Sequence, residues 1–222
     1  RGLGDVYKRQ DFKPVYWCPH DETALAEAEI EYQDDPCTTV YVKFPMHDDC
    51  GKLSGYDKLF FVIWTTTPWT LPSNVALCVN PKEEYVKVKA ADGYTYYMAA
   101  ALVDTVLGEG AEILEHYQGK DLEFKEYEPL FPYAEKRIGN KKAYYVVCDT
   151  YVTLTDGTGV VHIAPAFGED DARVGRKYDA PFVQMVDEAG VMKPETPFAG
   201  MRAKPTKKEM EAGAINLSLI HI

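Results

Sequence analysis

The sequence predicts a mainly β domain of barrel-like build, with helices confined to its periphery. The grounds are many short runs rich in Val, Ile, Phe and Tyr, turn signals such as Asp92-Gly93 and Asp156-Gly157, and few stretches of helical character. Hydrophobic residues make up 46% of the 222, and aromatics 13%, 16 of them Tyr, enough to supply a real core for one generous domain. No apolar run approaches the ~18 residues of a membrane helix, and no secretory pattern opens the chain. The five cysteines are odd in number and widely spaced, which fits reduced thiols in a cytosol better than a disulfide framework.

Taken in order, residues 1–10 and 217–222 read as non-native tails, peptides of the kind read through from sequencing adapters. Residues 14–32 open extended and turn helix-like from Thr23 to Ile30, with Asp21 or Thr23 as cap. Residues 38–45 alternate Val40, Val42 and Phe44 against Tyr41 and Lys43, as a strand does. Residues 59–64 are a buried strand, and 75–79 a second one stopped by Asn80-Pro81. A hairpin is expected over 85–90 and 94–98, turning at Asp92-Gly93. A short helix over 99–107 ends at Gly108, and short strands at 113–117 and 122–127 precede a turn at 129–132. Residues 143–154 and 160–163 read as a strand and its return about Asp156-Gly157. The 169–178 stretch is acidic at its start and basic in its second half, the polarity a helix dipole favours. A last strand is expected over 182–186.

Net charge is −11, which argues against indiscriminate binding to a nucleic-acid backbone. Basic clusters do occur: Lys136, Arg137, Lys141 and Lys142; Arg173, Arg176 and Lys177; Arg202, Lys204, Lys207 and Lys208. Each reads as a solvated face or as a local basic patch. Cys18 with His20, or His47 with Cys50, could nominate a metal site. Neither has a second pair at ligand spacing, so no metal is expected.

Two stretches carry chemistry. Residues 64–74, WTTTPWTLPSN, run from a strand end into three threonines and two prolines. The prolines make a stiff, non-helical loop the expectation, one that offers hydroxyls and an indole but no charge. Read plainly, it is a strand end and a turn. In residues 157–171, GTGVVHIAPAFGEDD, alternation puts Val161 and Ile163 on one face, Val160 and His162 on the other. His162 reads as a core histidine or a site residue, and Asp170 and Asp171 as helix caps or a carboxylate site.

The first stretch resembles the threonine-rich peptide of the editing domain in isoleucyl-tRNA synthetases, and the second resembles that domain's other signature. Valyl-type domains usually show Arg-Pro-Glu-Thr at the first site and Lys where His162 stands. Leucyl-type ones show Thr-Thr-Arg-Pro-Asp-Thr, so the isoleucyl type is the better match. The resemblance covers roughly residues 13–202. It implies a closed β-barrel of the valyl, isoleucyl and leucyl editing type, decorated with helices. It also implies a connection from a catalytic domain over 11–45, the editing domain over 46–200 and a return connection over 201–216. By the same resemblance Thr65, Thr66 and Thr67 hold the amino acid and terminal adenosine, His162 borders the amino-acid side chain, and Asp171 pairs with its α-ammonium. Trp69 walls the pocket, with Asn74, Phe167 and Gly168 as further binding residues.

The reaction so implied is hydrolysis of valine wrongly esterified to tRNA for isoleucine. Valine lacks one methylene, worth only about 1–3 kcal/mol in a hydrophobic pocket, a figure for which this family is itself the standard case. Neither stretch sets a Ser or Cys beside a base, so a water attacks directly and no covalent intermediate is expected. No cofactor is expected for editing; ATP and Mg belong to a catalytic domain whose HIGH-like and KMSKS-like signatures do not occur here. The implied partners are the valine-bearing acceptor end of tRNA for isoleucine and the rest of a parent synthetase. The chain is expected to be a cytoplasmic monomer with no membrane contact. Against this stand a non-catalytic module that only docks a tRNA end, and an unrelated β-barrel with a fortuitous threonine-rich loop.

Overall fold

Strand patterning becomes sheet in a computed structural model that describes residues 14–32, 38–48 and 59–214. The two predicted tails, residues 1–10 and 217–222, lie outside that range. A small hairpin, β1 (Tyr16–Cys18) with β2 (Thr23–Leu25), stands apart from the main sheet. Its Trp17 indole donates to the Glu188 carbonyl at 2.7 Å. The helix expected over residues 23–30 is instead β2 and a single 3-10 turn, Glu27–Glu29, which buries nothing. An isolated helix that short has no packing to offset its nucleation cost.

The main sheet contains β3 (Val40–Asp48), β4 (Leu59–Thr65), β5 (Ala76–Val79), β6 (Glu84–Lys89), β7 (Thr95–Ala99), β8 (Glu112–Gln118), β9 (Glu126–Tyr127), β10 (Tyr145–Cys148) and β11 (Val160–Ile163). Their order is β11-β5-β10-β9-β3-β4-β7-β6-β8. The β6–β7 hairpin forms as expected, Tyr85 facing Ala99 and Lys89 facing Thr95. β5 lies next to the end strand, antiparallel to β11 and parallel to β10. The pairing expected between residues 143–154 and their return is therefore not made, because β5 lies between the two strands. Residues 182–186 form no strand and contribute one bridge, Val186 to Met192.

A closed barrel was expected, and it is not formed. Among the described residues the end strands β11 and β8 do not pair with each other. β8 is built as an edge, largely exposed and carrying Glu112, Glu115 and His116, the charges that keep an edge from pairing. At the other end the sheet curls enough for the Ala99 amide to donate to the Thr158 carbonyl at 2.9 Å. Gly157 (φ 74) and Gly159 (φ 72) turn the backbone out of the extended form on either side, so this contact stays a bond rather than a ladder.

The sheet is buried on both faces around β5 and β10. Leu77, Val79, Val146, Cys148 and Val160 point into a core with Phe44, Phe61, Tyr85 and Tyr97. Ala76, Cys78, Tyr145, Val147 and Ile163 point the other way, against Val174, Val183 and Met185. The period of two in these short strands is what sorts them. The helices are α1 (Val103–Leu107), α2 (Glu135–Ile138), α3 (Glu169–Lys177) and α4 (Lys207–Glu211). Among the described residues no helix is long and apolar enough to cross a membrane.

Candidate functional site

The threonine-rich stretch leaves β4 and, against expectation, is helical: Pro68–Ser73 is a 3-10 helix. The reason is local. Proline fixes φ at a value this helix accepts, and the amides that close it, Thr70 to the Thr67 carbonyl and Asn74 to the Leu71 carbonyl, both at 3.0 Å, belong to other residues. Thr67, just before Pro68, stays outside the helix with φ −127 and ψ 64. The coil sets the threonines at different depths: Thr65 is buried, Thr66 half-buried and Thr67 exposed. The Thr67 amide donates to Thr65 Oγ1 at 3.1 Å, which folds the three together.

The second stretch brings β11 up to this coil. His162 lies on the same face as Val160 and is buried. Its Nε2 sits 3.1 Å from Thr70 Oγ1. Burial alone pulls its pKa down to about 4, so the ring is neutral at physiological pH. Trp69 and Phe167 meet edge to face, 5.2 Å apart, beside a small apolar cluster of Val186, Met192 and Ala203. The two stretches thus touch at two points, one polar and one aromatic.

Asp171 occupies the first turn of α3 behind Gly168, the residue that precedes the helix. Burial, reinforced by the charge of Asp170, pushes its pKa up to about 7 against a backbone hydrogen bond at Ala164. A side chain at Gly168 would put its Cβ 2.1 Å from Asp171 Oδ2, so the carboxylate occupies the space that glycine leaves. Asn74 is engaged within the core: its Nδ2 donates to the Ala76 carbonyl at 2.9 Å and its Oδ1 accepts from the Tyr127 hydroxyl at 2.6 Å. A cavity of about 300 Å³ opens beside Trp64, lined among others by Tyr151, Thr155, Gly157, Thr158 and Val161.

Thr70 was not among the residues singled out in the sequence. Its partner lies 92 positions away, a separation that spacing cannot reveal. A helical reading of the proline-flanked stretch would have set its hydroxyl over the Thr67 carbonyl. The basic clusters are largely committed to acids. Arg137 pairs with Glu195, Lys141 with Asp179, Lys142 with Glu126, Arg173 with Asp149 and Asp170, and Arg202 with Glu209. Cys18 and His20 each contact Asp21, at 3.4 and 3.2 Å. Among the described residues no group of three or more His, Cys, Asp or Glu is placed to hold a metal. The His47–Cys50 pair lies outside what is described.

No protein-family model matches the chain. Among curated proteins it is 44% identical to the isoleucine–tRNA ligase of Geobacillus thermodenitrificans over 96% of its own length and 23% of that protein's. It is 42% identical to the isoleucine–tRNA ligase of Methanothermobacter thermautotrophicus over 91% of its own length and 18% of the relative's. Among solved structures, the editing domain of the P. knowlesi cytosolic leucyl-tRNA synthetase is similar over 64% of each chain, at 16% identity and a TM-score of 0.48. The chain belongs to the isoleucine–tRNA ligase family, as a segment spanning 23% of the length of the Geobacillus relative.

Proposed function

We propose that this segment is the editing part of an isoleucine–tRNA ligase and hydrolyses valine esterified to tRNA for isoleucine. The observation that carries this reading is the junction of the two stretches, with Thr70 bonded to His162 and Trp69 packed on Phe167. Two signatures far apart in sequence here pack against each other. Asp171 supplies a carboxylate for the α-ammonium, and a charge-assisted bond of that kind anchors and orients the ester. Thr65, Thr66 and Thr67 supply neutral hydroxyls for the ribose and the ester. His162, neutral and buried, borders the amino-acid side chain and excludes one methylene too many.

Water is the nucleophile in this reading. Cys78 and Cys148 are both buried, and burial pushes the Cys148 thiol up to about 12, so it is not an activated nucleophile. The hydrolysis is assigned no cofactor or metal, and ATP-dependent charging is assigned to the remainder of the parent enzyme.

The test is to incubate the purified chain with tRNA for isoleucine charged either with valine or with isoleucine and to follow deacylation. Selective loss of valine is expected. A folded chain that releases neither amino acid would overturn the reading in favour of a docking module.

A further inference from the structure

Three acids, Glu169, Asp170 and Asp171, share the first turn of α3, and the helical period sends them to different places. Asp171 falls in line with Val174 and Gly175, three and four positions on, which are buried. Asp170 falls in line with Arg173, beside Asp149 at the end of β10. Arg173 meets Asp149 with both arms of its guanidinium, Nη1 to Oδ2 at 2.9 Å and Nη2 to Oδ1 at 3.1 Å. Nη2 also donates to Asp170 Oδ1 at 2.8 Å, and the centre of the Tyr151 ring lies 5.7 Å from the guanidinium carbon. Asp149 is itself fixed to the sheet. Its amide donates to the Val79 carbonyl at 3.0 Å, and its Oδ1 accepts from the Tyr151 amide at 3.2 Å. Isolated exposed ion pairs contribute little, but a two-armed bond to a buried, anchored carboxylate holds one geometry.

We propose that Arg173 is a positioning residue: braced on Asp149, it draws Asp170 aside and ties the first turn of α3 to the end of β10, leaving Asp171 as the carboxylate that receives the α-ammonium. Arg173 in turn holds Asp149 below the usual carboxylate range, so the brace stays ionised. The charge that reaches Asp171 is that of Asp170, which favours the protonated form of its neighbour. A cation bound to Asp170 limits that push. The other groups about this turn are Glu169, whose charge reaches Tyr16 of β1, Tyr151, kept protonated by burial, and the neutral His162 of β11. This inference deepens the proposed hydrolysis and rests on it for what Asp171 binds. The brace and its effect on Asp171 stand independently of it.

The test follows Asp171 in two ways: by the 13C carboxyl signal of the labelled chain, assigned by comparison with Asp171→Asn, and by the acid limb of valine-ester deacylation. Arg173→Met keeps the stem and removes the charge. It should move both midpoints up by roughly half to one pH unit, the coupling of charges a few ångströms apart near a surface. At pH 6 that shift lowers deacylation about three- to tenfold. Asp170→Asn should move both midpoints down, and in combination with Arg173→Met it should undo the upward shift, because no acid is left to be drawn aside. Mere loss of packing would lower the rate alike at every pH, and Asp170→Asn would not restore it. An unmoved Asp171 midpoint in folded Arg173→Met, or an upward shift that survives in the double variant, would overturn the proposal. Where Arg173→Met does not fold, Arg173→Lys should keep the midpoint near the wild-type value and Asp170→Asn should still lower it; failure of either overturns it too. Asp171 signals that move as expected in a chain that deacylates nothing would count for the brace and against the hydrolysis.

Discussion

At Asp171 two effects oppose each other. A carboxyl in the first turn of a helix ordinarily ionises readily, because the dipole and free amides there favour negative charge. Here burial and the neighbouring Asp170 prevail and push it up to about 7. Pairing with an α-ammonium needs the ionised form, so the site as drawn gains its anchor only as pH rises towards 7. His162, held near 4, does not titrate in that range. Deacylation of the valine ester should therefore climb about tenfold per pH unit on the acid side of 7 and level off above it. Asp171→Asn should remove that limb and lower the plateau about 10²-fold, the scale of a charge-assisted bond. Rates from pH 5 to 8 for both chains check this, and a limb that survives in Asp171→Asn would assign the titration to another group.

The junction between the loop and α3 shows how one backbone position serves another residue's side chain. Gly168 has an ordinary extended conformation, with φ −147 and ψ 146, so its value is not conformational freedom. Its value is space, since a Cβ there would lie 2.1 Å from Asp171 Oδ2. Gly168→Ala should move the carboxylate and cost about 10²-fold in deacylation, with a loss of stability of about 1 kcal/mol because Ala ranks below Gly at the N-cap of α3. Thermal melts and deacylation measured on the same preparation separate the two effects. At this scale the sequence was legible where local signals, a turn or a change of charge, bound an element. The β6–β7 hairpin, β11 and α3 all stand near their expected bounds. It misled where partners are remote. β5 separates β10 from β11, and nothing local in residues 143–163 announces a third strand between them. The 3-10 coil was hidden for another reason: proline reads as a helix breaker, yet Pro68 and Pro72 fit a short coil whose closing amides belong to Thr70 and Asn74. Of the site, His162, Asp171 and the three threonines could be named from the sequence, whereas Thr70 needed the fold.

Across the whole molecule the buried His162 and the half-buried Asp171 act on stability in opposite directions. For His162 the folded pKa is lowered from 6.5 to about 4, so the unfolded chain binds the extra proton between those values and stability falls as pH drops through them. For Asp171 the folded pKa is raised from 3.8 to about 7, so the folded chain binds the extra proton and stability falls as pH rises through that window. Between about pH 4 and 6.5 the two slopes nearly cancel, and neither group is visible in the wild-type profile on its own. Asp171→Asn should expose His162: the variant's stability should rise with pH more steeply than the wild type's, by up to about 1 kcal/mol per pH unit. Every other titrating group is common to both chains, so the difference between their urea-unfolding curves isolates Asp171. If that difference does not change between pH 4 and 7, Asp171 is an ordinary carboxylate in the free chain. Its pairing with an ammonium would then need no deprotonation, and the acid limb of the rate profile would have to be sought in the substrate.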